Sequence, residues 1–313
     1  MTALGFRPLN VALRAGSPAL RAYAASAAIS AGDLAPGFHP RPDLNLTNRG
    51  GRTITDLVFV NYYLGGAAAW HDSDRSSIDT GLSAVMTDPG MQKVLQQYFK
   101  NPISSTMLPS RFADGPVGPR FFKDDAEKAV TTLFQAGALG QHDPANAVIC
   151  LMLPRGVVLV DGNSDGSDAE APHARAVLVD DEQADSLQGL GGYHGSVHVG
   201  VTTVYYAVGV YSEGNNGIVA FDKPWKNVVA TFSHELSEAR TDPDVEDVIR
   251  TGNAHLLGWY SRRGGEIGDI PMALAGANLA LVMKEITLAD HSTQPAQLEW
   301  SNRVNGPEAP PQP

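Results

Sequence analysis

Hydrophobic and polar positions along this chain follow two periods in alternation. From Asp56 the run Leu57-Val-Phe-Val-Asn-Tyr-Tyr63, rich in β-branched and aromatic side chains and closed by Gly65-Gly66, predicts a buried strand. The spacing then becomes helical. Ile78, Leu82, Val85 and Met86, followed by Met91, Val94, Leu95 and Tyr98, form two apolar faces over 76–99, interrupted by Asp88-Pro89-Gly90. Ala126, Val130, Leu133 and Phe134 repeat that spacing over 122–138. Strands are expected again at 148–153, 157–160 and 202–211, and one more helix at 222–243. Such interleaving predicts an α/β fold, a mixed or partly parallel sheet covered by helices.

The last of these helices carries the chemistry. Asp222 is placed to cap it, Pro224 suits its first turn and Pro243 ends it. Trp225, Val228, Val229, Phe232, Leu236 and Ala239 fall on one stripe, which puts His234 and Glu238 on the opposite side of the cylinder. A histidine and a glutamate one turn apart can hold a divalent ion through an imidazole nitrogen and a carboxylate oxygen. Glu235, rotated by about 100°, can then act on a water without ligating. This is the division of labour of metal-assisted hydrolysis, in which the metal polarises the carbonyl and acidifies water while the glutamate takes and returns the proton. His234-Glu-Leu-Ser-Glu238 differs from the common H-E-x-x-H pattern by a carboxylate at its last position, which makes the site more hospitable to ions harder than zinc. A third ligand is needed. Gly264-Gly-Glu-Ile-Gly-Asp269 supplies Glu266 as first choice and Asp269 as fallback or as the partner that orients His234. His255 and His194 compete for that position, each equally readable as a polar loop histidine, and His194 joins Glu235 in the expected catalytic pair.

Composition narrows the classes. Against 23 Lys+Arg stand 34 Asp+Glu, a net charge of −11, so nucleic acid and anionic membranes are unfavourable partners and a peptide or small-molecule substrate is expected. No apolar run is long enough for a spanning helix, which predicts a soluble chain. A single cysteine, Cys150, sits in an apolar run and reads as a packed core thiol. Residues 1–35 hold Arg7, Arg14 and Arg21 among alanines and resemble a targeting or amphipathic arm, without the aliphatic core of an export signal, so a cytoplasmic location is slightly favoured. Pro307 to Pro313 reads as a disordered tail, giving three regions: an arm at 1–35, a metal-binding domain at 36–303 and a tail at 304–313.

The motif sequence His-Glu-Leu-Ser-Glu-Ala-Arg-Thr-Asp-Pro at 234–243, then Trp259-Tyr260, then Gly265-Glu-Ile-Gly-Asp269 resembles the bacterial relatives of the plant phosphate-induced, EXORDIUM-like proteins. Tyr62-Tyr-Leu-Gly-Gly66, Leu151-Met-Leu-Pro-Arg-Gly-Val157, Gly192-Tyr-His-Gly195 and Trp300-Ser-Asn302 extend the resemblance over about 56–302. It implies a zincin-like domain with His234 and Glu238 as zinc ligands, Glu235 in the catalytic position and Glu266 or Asp269 completing the shell. It also implies an alternative to an enzyme, a non-catalytic metal-stabilised binding or signalling protein.

Two further signals rank lower. Asp161-Gly-Asn-Ser-Asp-Gly166 begins like a calcium loop, but Pro172 stands where an EF-hand needs its bidentate glutamate. What remains is a looser calcium site at Asp161, Asn163, Asp165 and Asp168. Gly162 to Gly166 also has the form of a nucleophile elbow around Ser164, yet no helix follows before Pro172.

Overall fold

The computed structural model describes residues 32–164 and 184–311. Strand β1 (Asp56–Leu64) shows how the layers arise, because its side chains alternate between two buried faces. Phe59 and Tyr63 point to one side, where they meet Ile78, Leu82 and Val85 of helix α1 (Asp72–Thr87). Val60, Tyr62 and Leu64 point to the other, where Ala126 and Val130 of helix α3 (Lys123–Gln135) cover them. Between these two helices lies α2 (Pro89–Gln96), begun by the Asp88 side chain, which accepts the Met91 N–H at 2.9 Å.

Four more strands complete the central sheet: β2 (Ser104–Ala113), β3 (Ala147–Met152), β4 (Gly192–Val199) and β5 (Thr202–Gly209). Their spatial order is β2-β1-β3-β5-β4. The first four in that order run parallel, and β4 is antiparallel to β5, with Gly192 opposite Gly209 and His194 opposite Ala207. The expected α/β class and the central strands at 57–63, 148–153 and 202–211 are therefore present. Val158–Leu159 is a short strand pairing outside this sheet. Cys150 on β3 is a fully buried free thiol, and burial pushes its ionisation upward, as expected of a core cysteine.

Helix α4 (Pro224–Thr241) lies on the α1 side of the sheet, with Val228, Val229, Phe232, Leu236 and Ala239 in the shared core. Two glycines let it come close. A methyl group on Gly209 would lie 2.7 Å from the Phe232 ring, and one on Gly192 would lie 3.1 Å from Thr231. At its C-terminal end the buried Arg240 guanidinium donates to the carbonyls of Ile54 and Thr55, each at 3.2 Å, and to that of Ser104, which fixes α4 to the entries of β1 and β2. The chain continues through α5 (Val245–Thr251) and α6 (Asp269–Ala275), then the hairpin Met283–Thr287 with Thr293–Gln297, which packs over α4.

Both expected outer boundaries shift. Asp33–Leu34 pairs antiparallel with Gly306–Ala309, which also pairs with Trp300–Ser301, so the ordered unit reaches beyond 36–303 at each end. The prolines did not preclude this strand, because Pro307 uses only its carbonyl, accepting the Ala35 N–H at 2.9 Å, while the intervening Glu308 donates to Glu299 at 3.0 Å. The Met1–Ala31 part of the expected arm and residues 312–313 lie outside the described residues.

The close approach of α4 is directly testable. Gly209→Ala should lower stability by about 1–3 kcal/mol through overpacking, read from urea unfolding. Adding Phe232→Leu should recover part of that loss relative to the sum of the single changes. Strict additivity of the two would mean that Gly209 does not set the spacing.

Candidate metal centre

The side of α4 opposite its core stripe does not face solvent, contrary to what the stripe alone suggests. From Asn227 to Thr241 every residue is buried except His234, which is partly exposed. Edge strand β4 and the segment around Gly268 close over that side, so a face carrying two glutamates and a histidine is enclosed between layers. Asp222 does not cap the helix. Lys223 occupies that position, and Asp222 instead pairs with Lys226 at 2.8 Å.

Glu238 is the hub of the enclosed region. Its Oε1 accepts the backbone N–H groups of Gly268 at 3.1 Å and Asp269 at 3.0 Å. Its Oε2 lies 3.2 Å from His234 Nε2 and 3.6 Å from His194 Nδ1. The His234 ring is oriented from behind by Gln297, whose Oε1 lies 2.9 Å from Nδ1 while its Nε2 donates to the Gly268 carbonyl at 2.7 Å. With Gln297 Nε2 committed as a donor, Oε1 must accept, so Nδ1 carries a proton and Nε2 is the nitrogen that an ion would take once its own proton is displaced. Nε2 faces Glu238 and Asp269 Oδ1, the latter 3.8 Å away. The position assigned from sequence to Asp269, holding His234 in orientation, thus belongs to Gln297, and Asp269 stands with the ligand atoms.

His194 enters from β4. Its Nδ1 is 3.6 Å from both Glu235 Oε2 and Glu238 Oε2, and its Nε2 is 3.6 Å from Glu266 Oε1 and 3.3 Å from the Asp242 carbonyl. Glu235 Oε1 lies 3.9 Å from His234 Nε2. Among the described residues, two groups of side chains bring one donor atom each within 4.8 Å of one another: His194, Glu238 and Glu266, all buried, and His234, Glu238 and Asp269, which reach toward the surface. A tetrahedral zinc ion with bonds of about 2.0–2.1 Å separates its ligand atoms by roughly 3.4 Å, close to the distances above.

Charge is dense here. Burial opposes both imidazolium forms, yet Glu266, Glu235 and Glu238 around His194, and Glu238 and Glu235 around His234, raise each histidine well above its ordinary range. Burial also opposes the Glu238 charge, but the two histidines hold it well below the usual carboxylate range. Burial pushes Glu235 up, and burial together with the Glu238 charge pushes Glu266 far up. The Glu238 charge raises Asp269 to about 7, and burial raises Asp242 to about 7 and Glu299 to about 8.

Six residues singled out from sequence therefore meet: His194, His234, Glu235, Glu238, Glu266 and Asp269. His255 does not join them. It is exposed in a short 3-10 turn, where its N–H is capped by Asn253 at 3.2 Å. Gln297, Glu299 and Asp242 were not anticipated. Asp242 follows the helix motif directly and could have been found there; Gln297 and Glu299 carry no local signal. Of the calcium expectation, Asp161 and Asn163 are described, whereas Asp165 and Asp168 lie outside the described residues. The Ser164 hydroxyl donates to Asp124 at 2.7 Å. A separate open pocket lies at the carboxyl ends of β1 and β2, lined by Leu64, Phe112, Val117, Phe121 and Leu133 with Lys128 at its rim, and it shares no residue with the metal centre.

The geometry around His234 makes a specific demand. A methyl group on Gly268 would lie 2.4 Å from His234 Nδ1. Gly268→Ala should therefore displace the ring, and Gln297→Ala should release it, each weakening the affinity of this group for an added divalent ion by about 10- to 100-fold, the scale found for groups that orient a ligand. Competition against a chromogenic chelator measures this, and wild-type affinity in both variants would refute the assigned orientation of His234.

No protein-family model, curated protein or solved structure matches this chain.

Proposed function

We propose that this protein is a metal-dependent hydrolase of zincin-like design, holding zinc between His234, Glu238 and Asp269 and using Glu235 as general base. The observation that carries the reading is the position of Glu235. It is a buried carboxylate, 4% exposed, set beside a convergence of nitrogen and oxygen donors that opens to solvent on its Asp269 side. The side chain of Asp269 is 57% exposed, and that of His234 13%. A substrate carbonyl approaching along that opening meets the ligand group first and Glu235 behind it.

When bound, zinc supplies Lewis-acid polarisation of a carbonyl and a more acidic water. The chain supplies the proton handling. Burial raises Glu235 above the usual glutamate range, which suits a group that must accept a proton and then deliver it to a leaving group. His194, on the far side of Glu235, offers a ring nitrogen toward the Glu235 carboxylate and restricts its motion. Peptide bonds are the first substrate class to test. The zincin-like assignment draws support from the mixed sheet, whose antiparallel edge strand β4 borders the helix bearing the metal motif, and from the resemblance to the EXORDIUM-like family.

A second reading has its own observation. Glu238 joins α4 to the turn before α6 through two backbone hydrogen bonds, so a bound ion would also act as a structural cross-link in a binding or signalling protein.

Glu235→Gln separates the two readings, since it keeps size and removes the base. The enzyme reading expects full zinc occupancy with turnover of peptide and ester substrates reduced by at least about 100-fold. Undiminished hydrolysis by the zinc-loaded variant would refute the mechanism, and no turnover by the wild type across a broad screen would favour the cross-link. Protons also compete for the ligands. Because His234 is raised in the metal-free protein, zinc must displace a proton from it, and its apparent affinity should fall by about tenfold or more between pH 7.5 and pH 6. Isothermal titration at the two pH values tests this, and a flat response would place the ion away from His234.

A further inference from the structure

The two donor groups share one residue, Glu238, and one atom of it. Oε1 is occupied by the backbone N–H groups of Gly268 and Asp269, which leaves Oε2 facing His234 Nε2 at 3.2 Å on one side and His194 Nδ1 at 3.6 Å on the other. The remaining donors divide accordingly, Asp269 toward His234 and Glu266 toward His194. Glu266 Oε1 is buried and makes no hydrogen bond, its nearest basic atom being His194 Nε2 at 3.6 Å. A buried carboxylate oxygen aimed at an imidazole nitrogen from just beyond hydrogen-bond reach leaves a gap of the width that an ion bonded to both would span.

Building on the hydrolase reading, we propose that the centre takes two divalent ions: the one held by His234, Glu238 and Asp269, and a second, deeper one held by His194, Glu238 and Glu266, with Glu238 bridging them. The charge inventory fits two dications better than one. Glu235, Glu238, Asp242, Glu266 and Glu299 are all buried, with Asp269 at the rim, against two imidazoles, and acids removed from water ionise only where a cation compensates them and otherwise take up protons. A shared carboxylate is also the means by which paired ions are held roughly 3.5–4 Å apart in hydrolytic two-metal sites. The residues of the deeper group are all buried, so it serves to fix Glu238 and the charge of the site, while the outer position, with Asp269 exposed, meets substrate.

Metal counting on the full chain decides this. The protein is stripped with a chelator, dialysed, reloaded with Zn2+ or Co2+, dialysed again and analysed for metal per folded chain. Two equivalents are expected for the wild type. Glu266→Gln and His194→Gln should each retain one, because the outer group is untouched. The doubly cobalt-loaded wild type should give a magnetically coupled paramagnetic resonance signal that the single-ion variants lack. One equivalent in the wild type would overturn the two-ion proposal and leave the hydrolase reading standing, whereas none would overturn both. Two equivalents persisting in Glu266→Gln and His194→Gln would place the second ion elsewhere and refute its assignment. If either variant fails to fold, the wild-type count and its cobalt coupling still decide.

Discussion

The close contact between α4 and the antiparallel edge of the sheet is the constraint on which the rest of the centre depends. It exists because Gly192 and Gly209 present no side chain where Thr231 and Phe232 arrive. Were either position larger, the helix would stand farther off, and His194 on β4 would no longer reach Glu235 and Glu238. The same contact encloses those two glutamates. Once removed from water they need partners, and the partners at hand are the two histidines and two backbone N–H groups. Packing and chemistry are thus one problem here: the spacing that completes the core also creates a buried acidic chamber lined by groups that could hold a divalent ion.

What was legible in the sequence followed the physics of burial. β1, β3 and β5 lie inside the sheet with both faces covered, so they read as continuous apolar runs such as Ala147 to Leu153. The edge strands β2 and β4 did not read at all. β2 alternates partly buried and exposed residues through Ser104, Ser105 and Arg111, and β4 begins with Gly192 and contains Gly195, a composition that mimics a loop. His194 is therefore readable as a candidate site residue, while the strand that carries it is not. Helices were easier, because an apolar stripe needs only one covered face. The stripe on α4 was correct, but it carried no information about its far side, which depends on what β4 and residues 259–301 do in three dimensions.

The centre itself divides along the same line. His234, Glu235 and Glu238 were readable because helical spacing places them together, and Glu266 with Asp269 because acids in a glycine-rich turn invite a ligand role. Gln297 was invisible, since a glutamine near the end of a hairpin strand has no signature. Its importance comes from a single contact across 63 positions of sequence, with the orientation of His234 resting on it. Glu299 was missed for the same reason. A buried acid at 1% exposure is recognisable only once the surrounding fold is known.

The pairing of Asp33–Leu34 with Gly306–Ala309 has a consequence for the order of folding. It closes a loop of nearly the whole described chain, and such contacts repay their entropy only after the intervening structure has formed. Trp300–Ser301 joins the same small sheet, and Glu299 and Gln297 immediately precede it. The terminal pairing therefore closes late, onto a sheet and helix already assembled from shorter-range pairings. In kinetic terms the small terminal sheet acts as a late clasp on the chain, separate from the local hairpin that carries Gln297.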